Sequence, residues 1–370
     1  MEFKELENYV LRFPRKSVGF YPTPFHKVGN ISDKYNVNIF MKREDMAGPG
    51  TISGSKIRLA EFIVGSAIEN GVTHILTVGA YLSNSAMQVA AAAIQAGIKP
   101  IVFLYDTMAE GLPKAYRGNL LLDQLMGVEV VYIPRAADES QEGIWDAKIF
   151  PAVETRKAEL EAQGHKVMVA PAGAAHPVSF MAHTLTYKEM IEQARKLGVE
   201  LDYIYHTTGT GSTLPGMIAA KLLTGNAGGS VKIRSIAINS YRPENWVNRE
   251  MIVERVKVIF QQFGQQVPAD DVIRAEIDVD ERFIGRDYAV PSEEGTAAIK
   301  ELASCDAVFL GPVYTAKGFA GLLAHIREGR VPAGSNIAFL HTGDTGNLFE
   351  DPRIVGEVTE LHRNAGSQPA

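Results

Sequence analysis

Cysteine is nearly missing from this chain: Cys305 is the only one in 370 residues. A disulfide framework within the chain and a multi-cysteine zinc site are both excluded, and no metal is expected. Concentrated basic runs are missing too. With 37 Lys and Arg against 43 Asp and Glu, the net charge is −6, so nucleic acid is not an expected partner. Long apolar runs are lacking. The most apolar stretch, from about residue 86 to 105, is interrupted by Gln88, Gln95, Lys99 and Pro100, so no membrane contact is expected. The start, Met1 to Asn8, has no basic segment followed by an apolar one, so no signal peptide is expected. Scarce cysteine is compatible with a cytoplasmic location. No internal repeat is found.

What is present is an alternation of two periods. Val37, Ile39 and Met41 fall on one face of a strand ending at Lys42. From Ile57, residues Ala60, Val64, Ala67 and Ile68 recur at helical spacing until Gly71. Further helices are expected near 85–96, 116–126, 152–163, 179–196, 214–223, 244–264, 292–304 and 315–327. Strands are expected at 74–78, 100–105, 128–133, 166–170, 203–206, 233–238, 307–310 and 336–340. Residues 1–35 read as irregular, 136–148 as a connection or surface helix, and 364–370 as a disordered tail. The order predicts an α/β fold of parallel sheets covered by helices. The length suggests two domains.

Three stretches carry chemistry. In Thr51–Arg58 a Ser/Gly run ends in Lys56, where an apolar helical pattern starts. A lysine there can be desolvated and act as an amine nucleophile or Schiff-base residue; taken alone, it reads more readily as a solvated turn lysine. Gly79–Ser85 is a turn in which Ser83 or Asn84 suits the cap of the next helix. Thr207–Thr213 lies between a strand and a helix, where converging N–H groups, hydroxyls and the helix dipole form an anion site. It lacks the Gly-Lys-Ser/Thr ending of a Walker loop, and Leu214 stands where a dinucleotide motif requires glycine. A lysine together with a phosphate cup is what pyridoxal phosphate (PLP) needs.

Six motifs in order resemble one family. They are Lys42-Arg43-Glu44-Asp45, Ser55-Lys56-Ile57-Arg58, Gly79 through Asn84, Thr208 through Thr213, Pro312 through Lys317, and His341-Thr342-Gly343. The family is 1-aminocyclopropane-1-carboxylate (ACC) deaminase / D-cysteine desulfhydrase, among the tryptophan-synthase-β-like, fold type II PLP enzymes. The resemblance runs from about residue 15 to 350. It implies two open twisted α/β sheet domains with PLP in the cleft between them. The smaller, 57–168, would be inserted into a larger one made of 1–56 and 169–370. It also implies a homodimer.

Residue by residue, the resemblance makes Lys56 the cofactor-linking lysine and the base at the substrate α-carbon. Asn84 matches a hydrogen-bond partner of the PLP 3′-oxygen, and Ser83 a residue beside the substrate carboxylate. Gly209, Thr210, Gly211, Ser212 and Thr213 match the phosphate loop, and Tyr288 and Tyr314 two tyrosines facing the substrate. Thr315 matches the residue near the pyridine nitrogen, with Thr342 beside it. Plainer roles stay open: Ser83 and Thr315 as helix caps, Tyr288 as a packed aromatic, Lys317 as a solvated helix lysine, and His341 as an orienter of its loop. A non-catalytic protein that keeps the fold is disfavoured by Lys56, Asn84 and the Thr208–Thr213 loop occurring together.

Thr315 bears on reaction type. In the family, the ring-opening deaminases have a glutamate there, which keeps the pyridine nitrogen protonated. A hydroxyl leans toward α,β-elimination from a small amino acid such as D-cysteine or cysteate, giving pyruvate, ammonia and the leaving group. Ring opening of ACC, replacement and cyclisation are the alternatives. The chain departs from the family pattern at several positions. Ser55 stands for Asn, Leu59 for Lys, Leu82 for Gln, Ala289 for Gly, Asp306-Ala307 for Glu-Gly, Gly311 for Asp and Asp344 for Gly. An unusual substrate is therefore expected.

Overall fold

A computed structural model describes residues 1–48, 53–140, 143–240, 247–349 and Ile354. Thr51 and Ile52, positions 244–246 of an expected helix and the expected tail 364–370 lie outside the described residues.

The chain opens with helix α1 (Phe3–Val10), strand β1 (Phe25–Lys27), α2 (Gly29–Tyr35) and β2 (Asn38–Arg43). Next come α3 (Lys56–Glu69), β3 (His74–Ala80), α4 (Asn84–Gln95), β4 (Lys99–Tyr105), α5 (Gly118–Leu125), β5 (Glu129–Ile133), α6 (Phe150–Ala162) and β6 (Val167–Ala170). Then follow α7 (Ala182–Lys196), β7 (Tyr203–Thr208), α8 (Leu214–Thr224), β8 (Lys232–Ala237), α9 (Arg249–Gln262), α10 (Asp270–Ala275) and β9 (Asp278–Asp280). The last elements are α11 (Glu293–Asp306), α12 (Thr315–Arg327) and β10 (Asn336–His341).

The strands form two sheets. One has the order β1-β2-β10-β7-β8-β9, the other β5-β4-β3-β6. Among the described strands only β1 runs antiparallel to its neighbour; the remaining pairs are parallel. The fold is therefore α/β with two open sheets. Because β2, β10 and β7 are parallel and adjacent, Arg43, His341 and Thr208 leave the first sheet from the same edge. In such sheets ligands sit at the carboxyl ends of the strands.

Helices on both faces bury the central strands almost throughout. On β2, Ile39 and Met41 belong to one buried cluster and Phe40 to another. Lys42 is fully buried and satisfied by Thr23 O at 3.0 Å, Glu189 at 2.8 Å and Gln193 at 2.7 Å. The even alternation seen in the sequence thus marks two buried faces, not one buried and one wet.

Several expectations are corrected. Residues 1–35 are not irregular. Phe3, Leu6 and Val10 bury one face of α1 against α7 and α8, and β1 and α2 follow. Residues 307–310 form no strand. Ala307 takes a left-handed φ of 52° at the end of α11, and Val308 and Leu310 are buried while Phe309 is exposed. The buried apolar pair satisfies the packing without sheet pairing. Gly79 and Ala80 continue β3, and Thr207 and Thr208 continue β7, so both turns start later than expected. Helix α10 and strand β9 were not expected; both are short for a periodic signal.

Candidate active site

Lys56 is the first residue of α3, and its surroundings fix that start from three sides. Ser55 N donates to Thr342 O at 3.0 Å, and Ile57 N to Gln88 Oε1 at 2.8 Å. Arg58, one further along, reaches both oxygens of Glu44 at 2.6 and 2.8 Å and both of Glu189 at 2.9 and 2.8 Å. Such bidentate pairs fix geometry as well as charge. Gly54 forms an isolated bridge with Gly343, and a side chain on it would strike the Asn84 amide at 2.8 Å.

These contacts turn Lys56 into a cavity of about 290 Å³. Lys56 as a whole is half-buried where it lines the cavity, and its amine donates to the Ser212 hydroxyl. Burial lowers its pKa to about 7, and the positive charge of Arg255 contributes in the same direction. A fraction of the amine is therefore free at neutral pH.

The cavity is also lined by Ser83, Asn84, Gly209, Thr210, Gly211, Ser212, Thr213, Tyr288, Tyr314 and Thr342. The structure brings all of these sequence-selected residues together with Lys56. Ser83 caps α4, its hydroxyl accepting from Ala86 N at 3.1 Å, so the cap and the cavity wall are one residue. Asn84 Oδ1 is buried without a protein partner, which a bound hydroxyl-bearing group would supply. Gly211 has a φ of +64°, and a methyl there would sit 2.6 Å from Met251 and 2.7 Å from Ile252. Only glycine lets this loop curl.

Thr315 is placed otherwise. It is fully buried and does not line the cavity; its hydroxyl accepts from Gly311 N at 2.8 Å and lies 3.4 Å from Gly343 O. Lys317 is not a solvated helix lysine. It is buried and donates to Ile284 O at 2.7 Å and Asp287 O at 3.1 Å, and burial lowers its pKa to about 8. It thereby ties down the loop that carries Tyr288. His341 is buried, with Nε2 against Phe309 O at 2.7 Å and Nδ1 against Gly343 N at 3.3 Å, and so holds its loop.

The phenols of Tyr288 and Tyr314 are hydrogen-bonded to each other, with ring centroids 6.0 Å apart at 74°. Burial raises both pKa values, so both keep their protons at neutral pH. Sequence reasoning missed several residues. Arg255 on α9 donates to Thr210 O at 2.6 Å, setting a cation beside the Thr/Gly/Ser loop. Tyr105, Trp145, Arg286 and Asp344 also line the cavity. Asp344 is buried, and burial raises its pKa to about 7 against the pull of its hydrogen bonds. Only Asp344 carried a signal, as a departure from the family pattern.

A lysine at a helix start, an anion loop with a cation behind it and an orphaned amide oxygen, gathered in one cavity, fit PLP. A family profile described as pyridoxal-phosphate dependent enzyme matches residues 16–343, and the chain belongs to that family. It is 30% identical to a putative 1-aminocyclopropane-1-carboxylate deaminase of Pyrococcus abyssi, covering 91% of this chain and 94% of the relative. It is 28% identical to the 1-aminocyclopropane-1-carboxylate deaminase of Ralstonia pickettii, over 90% of this chain and 94% of that one. Among solved structures, an ACC deaminase homologue superposes with a TM-score of 0.80 at 26% identity, covering 95% and 97% of the two chains. Tomato (Solanum lycopersicum) threonine deaminase isoform 2 shares the fold, with a TM-score of 0.61 at 18% identity over 96% and 95%. The chain is thus a PLP-dependent enzyme related to ACC deaminase. Among the described residues, no helix is long and apolar enough to cross a membrane.

Proposed function

We propose that this enzyme catalyses α,β-elimination from a small β-substituted amino acid of the D-cysteine or cysteate type. The observation that carries this reading is Thr315. Where ring-opening deaminases of the family place a glutamate, this chain has a hydroxyl already committed to Gly311 N.

Bound PLP supplies an acceptor for the electron pair left at the substrate α-carbon. The protein's part is distributed over the cavity. Lys56, partly unprotonated at neutral pH, takes the α-proton. The N-terminus of α4, at Ser83 and Asn84, offers positive potential to the substrate carboxylate. Tyr288 and Tyr314 retain phenolic protons, and one of them donates to the group leaving the β-carbon. With one water, the net products are pyruvate, ammonia and the leaving group.

A second reading, ring opening of ACC, is supported by the likeness to the ACC deaminase of Ralstonia pickettii and the putative one of Pyrococcus abyssi. Product analysis of the holoenzyme separates the two. D-cysteine or L-cysteate should give pyruvate with sulfide or sulfite. Formation of 2-oxobutanoate from ACC, with no pyruvate from either sulfur substrate, would sink the elimination reading.

A further inference from the structure

Asp344 is a buried carboxylate on the cavity wall, in a conformation that does not suit it. Its φ is +76°, a left-handed backbone that favours glycine. What holds it there is its side chain. Oδ2 accepts from Val313 N and from Tyr314 N, both at 3.1 Å, and Oδ1 accepts from the Asn347 amide. Tyr314 immediately precedes α12. One oxygen thus fixes the main chain at the two residues where the helix starts, and one of those residues carries a phenol of the tyrosine pair.

The contact extends across the cavity. Asn347 Nδ2 also lies 3.3 Å from Leu82 O, in the turn that ends at Ser83. Asp344 is therefore a short link between the tyrosine wall and the wall formed by Ser83 and Asn84.

Two of the departures from the family pattern meet at this point. A side chain at Gly311 would begin 2.5 Å from both the carbonyl carbon and the Cβ of Asp344. The nearest atom of all is the Asp344 carbonyl oxygen, so glycine at 311 lets the main chain of residue 344 pack directly against it.

We propose that Asp344 is a positioning residue: its carboxylate locks the Val313–Tyr314 main chain and so aims the Tyr314 phenol, and Tyr288 with it, at the substrate. This rests on the elimination reading only for the assignment of what the phenols do.

The test compares Asp344→Gly, Asp344→Asn and Gly311→Ala as holoenzymes. Glycine keeps the backbone and removes the acceptor, asparagine keeps an acceptor and tolerates the left-handed φ, and alanine at 311 pushes Asp344 aside without touching a carboxylate. Two readouts are taken, kcat and KM for D-cysteine and the near-ultraviolet circular dichroism of the tyrosines, with Tyr288→Phe as reference. Asp344→Gly and Gly311→Ala should lower kcat by about tenfold or more while KM moves less than about threefold. Both should change the dichroism toward that of Tyr288→Phe, and Asp344→Asn should stay within about threefold of the unmodified enzyme in kcat. The proposal is overturned if Asp344→Gly keeps kcat within about twofold with unchanged dichroism, or if Asp344→Asn is as damaged as Asp344→Gly. If D-cysteine is not turned over at all, the elimination reading fails, while the dichroism of the variants still reports on the tyrosine pair.

Discussion

The Lys56 amine donates to the Ser212 hydroxyl, across 156 positions of sequence. The residue suited to a covalent bond with the cofactor and the loop suited to its phosphate are held in direct contact. Lys56→Ala should remove the covalent attachment and leave the fold. Borohydride reduction followed by peptide mass spectrometry should find a pyridoxyl group on the Lys56 peptide of the parent enzyme and none in the variant. Turnover should fall by at least about a thousandfold. Unchanged turnover would remove Lys56 from the chemistry.

Uptake of PLP by the cofactor-free protein should report the lowered pKa of Lys56. Only the neutral amine attacks an aldehyde, and burial brings its pKa from 10.5 down to about 7. The neutral fraction grows as pH rises through that value, so the attachment rate should climb near pH 7 and level off above about pH 8. A rate still climbing toward pH 10 would show an unperturbed lysine.

The ion pairs of Arg58 hold the start of α3 in place. Glu44 and Arg58 are buried, and Lys42 joins them through Glu189. Removing one partner leaves an uncompensated buried charge, so Arg58→Met should cost about 3–5 kcal/mol in urea unfolding. A loss below about 1 kcal/mol would mark the network as no stronger than a surface pair.

Gly211→Ala tests the anion loop. A methyl group meets Met251 and Ile252, and the backbone conformation is left-handed. Affinity for PLP should drop by about tenfold or more, while the fold melts within a few degrees of the parent. Equilibrium dialysis with PLP measures it, and undiminished affinity would place the phosphate elsewhere.

Sequence patterns reported best where the signal is local. Lys56, Asn84 and the Thr208–Thr213 loop stand at junctions of elements whose periods change there, and those junctions meet at one cavity. Misreadings arose where burial overrode a local rule. Lys317 reads as a surface helix lysine until Ile284 and Asp287 are seen to satisfy it. Residues 307–310 read as a strand because Val308 and Leu310 alternate, yet no neighbouring strand is paired with them. The roles of Arg255 and Asp344 were illegible because their contacts, to Thr210 and to Val313 and Tyr314, join separate stretches of chain. No window of sequence contains both sides of such a bond.

Strand β10 has a consequence for how the protein comes into being. It lies in the middle of its sheet, between β2 and β7, yet it comes last in sequence among the described strands. The loop beyond it supplies Thr342 O to Ser55 N and Gly343 to the bridge with Gly54. Until residue 341 has been made, a growing polypeptide on the ribosome therefore carries β2, Lys56 and β7 with a gap where β10 belongs. The cavity around Lys56 has no finished wall until translation has passed residue 344, so cofactor capture should wait on β10 rather than on the stretch that carries the lysine.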